Sequence, residues 1–385
     1  MSQVWRMYSR YRAFVFLTGL IFAVISFSFL IQGLLHKENI SHSLSAAPAE
    51  NVTPLSINPT ESWRDDLGVP VLCYHQIVTE EKYRERPTPY AVTVEQFREQ
   101  MRWLKKNNFY SILPDELLAY VKAEKRFDFK KGRPIVLTFD DGNNDFVDHA
   151  EEILNEMNFK AVLFIYPTYI LAKKPRALTW AQIREARENG HAIESHTMWH
   201  PMLNTMNATD QRAQFRDSKR LLDKNGGARV RHLAYPFGIY SEKSAELLKD
   251  EKYVSAYTTF PGGNQIGEDP FHLRRYLIVK QDSMKQFAQK TLLRSLPARL
   301  LNHREGEQVD RKTQLKFSVP KNLGGKFEIK IFSRKFEPVY DAKNGELIVD
   351  ITAAKKRLSV VEILYKEDKI KYQANVLLNH KPQES

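Results

Sequence analysis

Two adjacent carboxylates, Asp140 and Asp141, lie in the segment TFDDG at residues 138–142, directly after the apolar run at residues 134–137. Adjacent side chains at a strand end point in different directions along the pleat. One carboxylate can therefore bind a metal ion while the other stays free to act as a general base. Alone, the segment is also typical of a strand that ends in an acidic turn.

A pair of histidines, His196 and His200, is spaced i and i+4 in the segment HTMWHP, after the predicted strand at residues 191–195. In a helical turn this spacing puts both rings on one face, about 5 to 6 Å apart, which is close enough to share a metal ion. The alternative is a pair of solvated loop histidines. Two histidines and one carboxylate form the ligand set of an open catalytic zinc-type site. The acidic strand end elsewhere in the chain therefore favours the metal site.

A third segment, LAYPFG at residues 233–238, also follows a predicted strand. Pro236 has no N–H and Gly238 permits a tight turn, so the N–H of Phe237 can be left free to stabilise an oxyanion. Alone, this segment is only a strand-to-turn junction.

Alternating secondary structure positions these three segments between residues 68 and about 300. The predicted strands are residues 69–74, 133–139, 161–166, 191–195, 232–235, 254–258 and 272–279. The predicted helices are residues 94–106, 146–157, 180–189, 210–224 and 242–250. Thr93 and Gln96 predict a capping box at the start of the first of these helices. Strands that alternate with helices predict a parallel sheet or a (β/α) barrel, with its chemistry at the C-terminal strand ends.

In this order, the three segments resemble the polysaccharide deacetylase family, also called carbohydrate esterase family 4 or the NodB-homology domain, over roughly residues 68–290. The resemblance implies a distorted (β/α) barrel that removes N-acetyl or O-acetyl groups from polysaccharides with a bound divalent metal ion. By position, it implies that Asp140 is the catalytic base and that the Phe237 N–H stabilises the tetrahedral intermediate. The implied ligands of Zn²⁺, or alternatively Co²⁺ or Ni²⁺, are Asp141, His196 and His200.

The sequence departs from the common family pattern in two places. Ala234 stands where the third motif often has an arginine that orients the base. Arg275 is the predicted substitute, and a surface arginine is the alternative. The late Leu-x-His motif that usually supplies the acid is missing after residue 280. The first strand instead ends in Tyr74 and His75, which with the AYPFG motif looks like the branch that acts on poly-β-1,6-N-acetylglucosamine. His75 is therefore the candidate acid, and an ordinary strand-end histidine is the alternative.

Aromatic residues near the three segments are candidates for stacking on sugar rings. They are Trp199, Tyr235 and Tyr240, with core packing as the alternative for each. The predicted function is metal-dependent de-N-acetylation of an extracytoplasmic N-acetylglucosamine polymer, such as poly-β-1,6-N-acetylglucosamine. This is hydrolysis of a linear amide. Peptidoglycan deacetylation and a catalytically inactive carbohydrate-binding protein are the alternatives.

The N-terminal part contains an uncharged apolar run, residues 13–35, which is long enough to cross a bilayer. Three arginines in residues 1–12 predict that this end stays in the cytoplasm and that the rest is exported to the periplasm or cell surface. A cleaved signal peptide is the competing interpretation, but its apolar region is normally about 7 to 15 residues long. We therefore predict an uncleaved anchor, followed by a flexible tether at residues 36–62.

Composition and patterning describe the remaining parts. The chain is 42% hydrophobic and 27% charged, which excludes a wholly disordered chain or a multi-span membrane protein. The net charge of +12 is scattered along the sequence, so nucleic acid is not a predicted partner. From residue 304 to 385 short alternating apolar runs predict a small β-sandwich with a binding or positioning role. The predicted catalytic domain is residues 63–303. Nothing in the sequence specifies an oligomeric state.

Overall fold

The computed structural model describes residues 68–241, 243–292, 294–331, 334–352, 358–367 and 370–380. Within these ranges, none of the helices combines the length and the apolar character that a membrane span requires. The predicted anchor at residues 13–35 and the predicted tether at residues 36–62 lie outside the described residues and stay predictions.

Parallel strands form the first half of the described chain. They are β1 (Val71–Tyr74), β2 (Gln76–Val78), β3 (Ala91–Thr93), β4 (Phe109–Ser111), β5 (Arg133–Asp141), β6 (Val162–Ile165), β7 (Ala192–Ser195), β8 (His232–Ala234), β9 (Ser255–Tyr257) and β10 (Tyr276–Leu277). The main sheet has the order β10-β1-β5-β6-β7-β8-β9, with β4 paired to the start of β5, and β2 pairs with β3. Leu273, just before β10, bridges to Tyr257 of β9, while β10 pairs with β1. One segment therefore joins both edges of the curved sheet.

Helices separate most of these strands, which confirms the predicted α/β class. They are α1 (Glu80–Glu85), α2 (Val94–Lys106), α3 (Pro114–Val121), α4 (Glu151–Glu156), α5 (Pro167–Leu171), α6 (Trp180–Glu188), α7 (Ala208–Gly226), α8 (Ser244–Asp250) and α9 (Met284–Leu292). Thr93 caps α2 by accepting a hydrogen bond from the Gln96 N–H. The Gln96 side chain donates instead to the carbonyls of Lys280 and Asp282, so the predicted reciprocal capping box is wrong. The Gln96 side chain therefore makes a tertiary contact instead of a capping hydrogen bond.

Alternate residues of β5 belong to two apolar clusters. Ile135 and Leu137 pack in the larger cluster, while Val136 packs in a smaller one that also contains Phe164 of β6. Burial of both strand faces explains why this run is continuously apolar rather than alternating. Because side chains alternate along a strand, Asp140 lies on the same side as Val136. The position of Asp140 on the inner face of the sheet follows from this alternation.

The second half of the described chain is β-rich, as predicted. Its strands are β11 (Arg294–Ser295), β12 (Arg299–Leu300), β13 (Gln308–Val309), β14 (Lys312–Ser318), β15 (Lys326–Ile331), β16 (Arg334–Phe336), β17 (Val339–Asp341), β18 (Glu346–Thr352), β19 (Leu358–Glu367) and β20 (Ile370–His380). They form sheets of order β11-β20-β19-β15-β16, with β13 beside β20, and β12-β14-β18-β17. Both sheets contribute to one apolar core, for example through Phe317 and Ile363. We call residues 294–380 the C-terminal region.

Candidate active site

The two adjacent carboxylates end β5 and enter different surroundings. Asp140 is buried, and its Oδ1 and Oδ2 accept hydrogen bonds from Arg275 Nη1 and Nη2 at 2.7 and 2.8 Å. Asp141 has a left-handed backbone with φ 79°, and its side chain is 25% exposed. One carboxylate is therefore held in an ion pair, while the other faces an accessible space.

Both histidines of the HTMWHP segment face Asp141. The Nε2 atoms of His196 and His200 lie 3.9 and 3.7 Å from Asp141 Oδ1. His196 Nδ1 lies 2.7 Å from the Ala234 carbonyl oxygen. That nitrogen must donate, which leaves Nε2 of His196 with a free lone pair. Burial lowers the pKa of each histidine to about 4, so both rings are neutral at neutral pH.

The turn that carries these histidines is not helical, so the predicted helical turn is wrong. Thr197 and His200 have φ values of 65° and 60°, in the left-handed region. The Thr197 N–H donates to Ser195 Oγ, and the His200 N–H donates to Thr197 Oγ1. Such backbone strain persists where the surrounding structure enforces it, often at functional sites. The two rings nevertheless meet, with centroids 4.6 Å apart.

These three side chains fit a divalent metal ion. One ligand atom from each of Asp141, His196 and His200 lies within 4.8 Å of the others. Two neutral imidazole nitrogens and one carboxylate oxygen suit Zn²⁺ and other first-row divalent ions, and leave coordination positions open. The donor set could therefore hold a metal ion with room for water or substrate.

Arg275 is fully buried, so the alternative of a surface arginine is wrong. Besides its pairing with Asp140, Arg275 donates from Nε to the Thr258 carbonyl and from Nη1 to Thr138 Oγ1. Burial is the largest single effect on Asp140 and acts to raise its pKa. The charge and hydrogen bonds of Arg275, together with the nearby His196 and His75, outweigh burial and hold that pKa well below its usual value. Asp140 therefore stays ionised.

His75 lies beside Asp140 at the end of β1. A ring nitrogen of His75, the Sγ of Cys73 and a carboxylate oxygen of Asp140 all lie within 4.8 Å of one another. Cys73 is fully buried, as predicted, and its Sγ lies 3.4 Å from Asp140 Oδ2. Burial raises the pKa of Cys73 well above its ordinary value, so its side chain is a neutral thiol.

Phe237 follows β8 in a left-handed conformation, with φ 60° and ψ 6°. The residue is 45% exposed, and its ring packs edge-on against His200, with centroids 4.6 Å apart. The next residue must be glycine, because a Cβ on Gly238 would lie 2.1 Å from Thr259 Oγ1. The turn after β8 thus approaches the histidines closely.

The prediction that Tyr235 and Tyr240 stack on sugar rings is wrong. Tyr235 and Tyr240 are fully buried and stack on each other at 4.9 Å, and Tyr240 also stacks on His272. Their rings fill the core and have no surface to offer to a sugar. Trp199 is partly exposed, and its backbone N–H donates to Gln214. Its role in substrate binding stays a prediction.

Three other tyrosines, which the sequence interpretation missed, surround the site. Tyr90 is 44% exposed, and its ring lies 5.3 Å from that of His75. The Tyr166 ring lies 5.4 Å from that of His200 and stacks on Tyr169 at 5.3 Å. Tyr166 directly follows β6, so its place at a strand end was a usable signal. Tyr90 lies in a loop that carries no comparable signal.

Comparison with known proteins identifies the first half of the described chain. Residues 129–256 match the family model described as Polysaccharide deacetylase. This domain belongs to the polysaccharide deacetylase family. It is therefore a hydrolase. The matched range contains the predicted base, the three predicted metal ligands and Phe237.

The deacetylase domain resembles named deacetylases in structure and sequence. The Streptococcus pyogenes deacetylase PplD in complex with acetate is 26% identical, with a TM-score of 0.53, over 58% of this chain and 98% of that chain. The poly-β-1,6-N-acetyl-D-glucosamine N-deacetylase of Staphylococcus epidermidis is 25% identical over 201 residues, 49% of this chain and 68% of that protein. The chitooligosaccharide deacetylase of Sinorhizobium fredii is 35% identical over 114 residues, 29% of this chain and 50% of that protein.

Proposed function

We propose that this deacetylase removes N-acetyl groups from an N-acetylglucosamine polymer outside the cytoplasm, such as poly-β-1,6-N-acetylglucosamine, in a reaction that depends on a divalent metal ion. The observation that carries the proposal is the convergence of Asp141, His196 and His200 beside an Asp140 that is paired with Arg275. The name of the Staphylococcus epidermidis relative supports the substrate. The apolar run at N-terminal residues 13–35 supports the location.

Asp140 is the general base in this proposal. A divalent ion bound by Asp141, His196 and His200 would supply Lewis-acid polarisation at the site. Asp140 remains a carboxylate because Arg275 pairs with it, so it can accept the proton of the attacking water. The Phe237 N–H is proposed to stabilise the oxyanion that forms on the acetyl group.

His75 is the proposed general acid. Water adds to the acetamide carbon, the C–N bond breaks, and the leaving nitrogen must gain a proton to depart as an amine. Asp140 is occupied with the water proton, and both His75 and Cys73 lie within 4.8 Å of Asp140 outside the proposed ligand set. Because burial raises the pKa of Cys73, the proposal assigns the acid to the imidazole of His75. The products are acetate and a glucosamine unit whose amine takes up the remaining proton, so that a neutral amide and water give one carboxylate and one ammonium group.

Exposed or partly exposed aromatic residues on two sides of the site suit a polymer substrate. Tyr90 lies beside His75, whereas Phe237 and Tyr166 lie beside His200. Aromatic rings present flat apolar faces that pack against the apolar faces of sugar rings. We propose that they contact sugar units on either side of the unit that loses its acetyl group.

Acetate release by the full-length chain tests the proposed function. The panel is β-1,6-linked N-acetylglucosamine polymer, chitin oligomers, peptidoglycan and acetylxylan. We expect acetate from the β-1,6-linked polymer, loss of release after chelation, and recovery with Zn²⁺ or Co²⁺. Acetate release from peptidoglycan alone would contradict the proposed substrate and favour the alternative, peptidoglycan deacetylation. Metal binding without acetate release from any polymer would favour the inactive carbohydrate-binding protein.

Two exposed tyrosines test the polymer contact. Tyr90→Ala is expected to raise KM for long oligomers about 3- to 10-fold, the equivalent of one lost ring contact, with a smaller change for a dimer. Tyr110→Ala is the matched control, because Tyr110 is 40% exposed but lies on β4 beside Pro134, at the far end of β5 from Asp140. Equal KM changes in both variants would remove Tyr90 from the substrate groove.

A further inference from the structure

Two consecutive arginines point to opposite sides of the segment that leads into β10. Arg275 reaches Asp140, as described above. Arg274 is also buried, but its Nη1 donates to the backbone carbonyl of Asn375 in β20. Its Nη2 lies 3.9 Å from a carboxylate oxygen of Glu305 in the C-terminal region. Side chains alternate along extended backbone, so one arginine serves the active site while its neighbour is held by the C-terminal region.

Strand β20 is buried on both faces and contributes to two cores. Ala374, Val376 and Leu378 pack in the core of the C-terminal region, whereas Leu377 packs in the larger apolar cluster of the deacetylase domain. Asn375 is fully buried on the same side as Leu377, and its amide donates to the Pro261 carbonyl. Strand β20 thus packs against the core of the C-terminal region on one face and against the deacetylase domain on the other.

The chain between Pro261 and Arg275, here called the return segment (residues 261–275), is fixed on its other side as well. The Asn264 side-chain amide donates to the carbonyls of Val69 and Arg274, and its Oδ1 accepts the Arg274 N–H. A Cβ on Gly262 would lie 2.5 Å from Arg274 Cδ, so the backbone approaches this arginine as closely as glycine allows. The return segment has little freedom to shift while these contacts are present.

We propose that the C-terminal region contributes to the geometry of the active site. Strand β20 holds Arg274 and thereby positions Arg275 against the base Asp140. Arg274 and Asn375 are positioning residues, since neither contacts the reacting atoms. Bidentate pairing of Arg275 with a carboxylate requires a defined guanidinium plane, and a displaced Arg274 moves the next residue along the chain. The inference rests on the proposed function, because it assumes that Asp140 is the base.

The experiment compares four variants of the full-length chain. Arg274→Met removes the guanidinium with little change in length, Arg274→Lys keeps a charge there, and Asn375→Ala removes the contact with Pro261. Val376→Ala is the matched control, because Val376 is the next residue of β20 but packs in the C-terminal core. Each variant is measured for kcat and KM on a short soluble N-acetylglucosamine oligomer, for metal content and for thermal stability.

Cys73 supplies a readout that does not depend on activity. It is the single cysteine of the chain and lies fully buried 3.4 Å from Asp140. The rate at which a thiol reagent such as dithionitrobenzoate labels Cys73 therefore reports local opening around the Asp140–Arg275 pair.

We expect Arg274→Met and Asn375→Ala to lower kcat about 10- to 100-fold with KM and metal content nearly unchanged, as for a misplaced catalytic group. Both should raise the labelling rate of Cys73 about tenfold or more, and Arg274→Lys should recover part of each loss. Val376→Ala should lower thermal stability while kcat and the labelling rate stay within about twofold of the original chain.

Two results would overturn the proposal. The first is a folded Arg274→Met variant with the original kcat and labelling rate. The second is a Val376→Ala variant that loses kcat and gains labelling as strongly as Arg274→Met, which would indicate general destabilisation. If the unmodified chain releases no acetate from the oligomer, the proposed function fails. In that case the Cys73 labelling rates still decide whether β20 holds the Asp140–Arg275 pair in place.

Discussion

The deacetylase domain and the C-terminal region each have an apolar core, but they distribute their polar residues differently. Parallel strands end at one edge of a sheet, so β5, β7 and β8 deliver Asp141, His196 and Phe237 to one place. In the C-terminal region, antiparallel strands such as β15 alternate buried and more exposed side chains. On β15, Lys330 pairs with Glu328 on the solvent side while Ile329 packs inside. The parallel strands of the deacetylase domain bring reactive side chains together at one edge of the sheet. Charged side chains on β15 instead lie along the outer face of the strand.

This comparison predicts that substitutions in the deacetylase domain reduce activity, whereas those in the C-terminal core reduce stability. The largest loss of activity is expected at the proposed metal ligands. Asp141→Ala should lose bound metal and reduce acetate release to background, because only His196 and His200 remain as ligands. Phe317→Ala, in the C-terminal core, should lower the free energy of unfolding by about 3 to 5 kcal/mol while metal stoichiometry is kept. Metal analysis, acetate release and urea unfolding separate the two. Full activity of metal-free Asp141→Ala would contradict the ligand assignment.

The next largest effect is expected at the base. Asp140→Asn should lower turnover about 10²- to 10⁴-fold while metal stays bound, since the amide cannot accept the water proton. Stability should also fall, because the buried Arg275 loses its counter-charge. Asp128→Asn is the control, as this exposed carboxylate pairs with Lys131 on the surface. Loss of metal in Asp140→Asn would mean that the roles of Asp140 and Asp141 are exchanged.

A smaller loss is expected at the proposed acid. His75→Ala should lower turnover about 10²-fold with metal retained. It should also remove the alkaline limb of the pH–rate profile, because the rate falls with rising pH only while a protonated acid is required. His303→Ala, in the C-terminal region beside Glu307, should leave both rate and profile unchanged. An alkaline limb that persists in His75→Ala would place the acid elsewhere.

The smallest effect concerns stability at the start of β7. His191 is buried, its Nδ1 accepts the Ala161 N–H, and burial lowers its pKa to about 4. The unfolded chain binds the proton near pH 6.5, so stability is fully present above that pH and is lost as pH falls towards 4. Metal-free His191→Gln should therefore lose less stability than the original chain between pH 7 and 4.5, by about 2 to 3 kcal/mol. Urea unfolding at both pH values measures the loss. An equal loss of the free energy of unfolding in the variant and the original chain would contradict this prediction.

Patterns within one element determined much of the fold. The apolar period and the Thr93 cap predicted a helix at residues 94–106, and α2 spans Val94–Lys106. The continuous apolar run before TFDDG predicted β5, because burial on both faces leaves no alternation. The strand before HTMWHP was also predicted, and β7 is found there. The motif residues were also readable, since their place at strand ends is a local property. Short elements such as β2 and α1 were missed because few residues carry their signal.

The tertiary structure decided the distances and the burial that depend on residues far apart in the chain, including those of the pairs that the family resemblance had implied. Arg275 lies 135 positions after Asp140, and only the joining of β10 to β1 brings them together. The burial of Tyr235 and Tyr240 also depends on neighbours from other segments. The alternation of β20 indicated a strand, yet it could not show that Asn375 and Leu377 face a second domain. A period of two records that a strand has two faces, but what covers each face is set by packing between segments far apart in sequence.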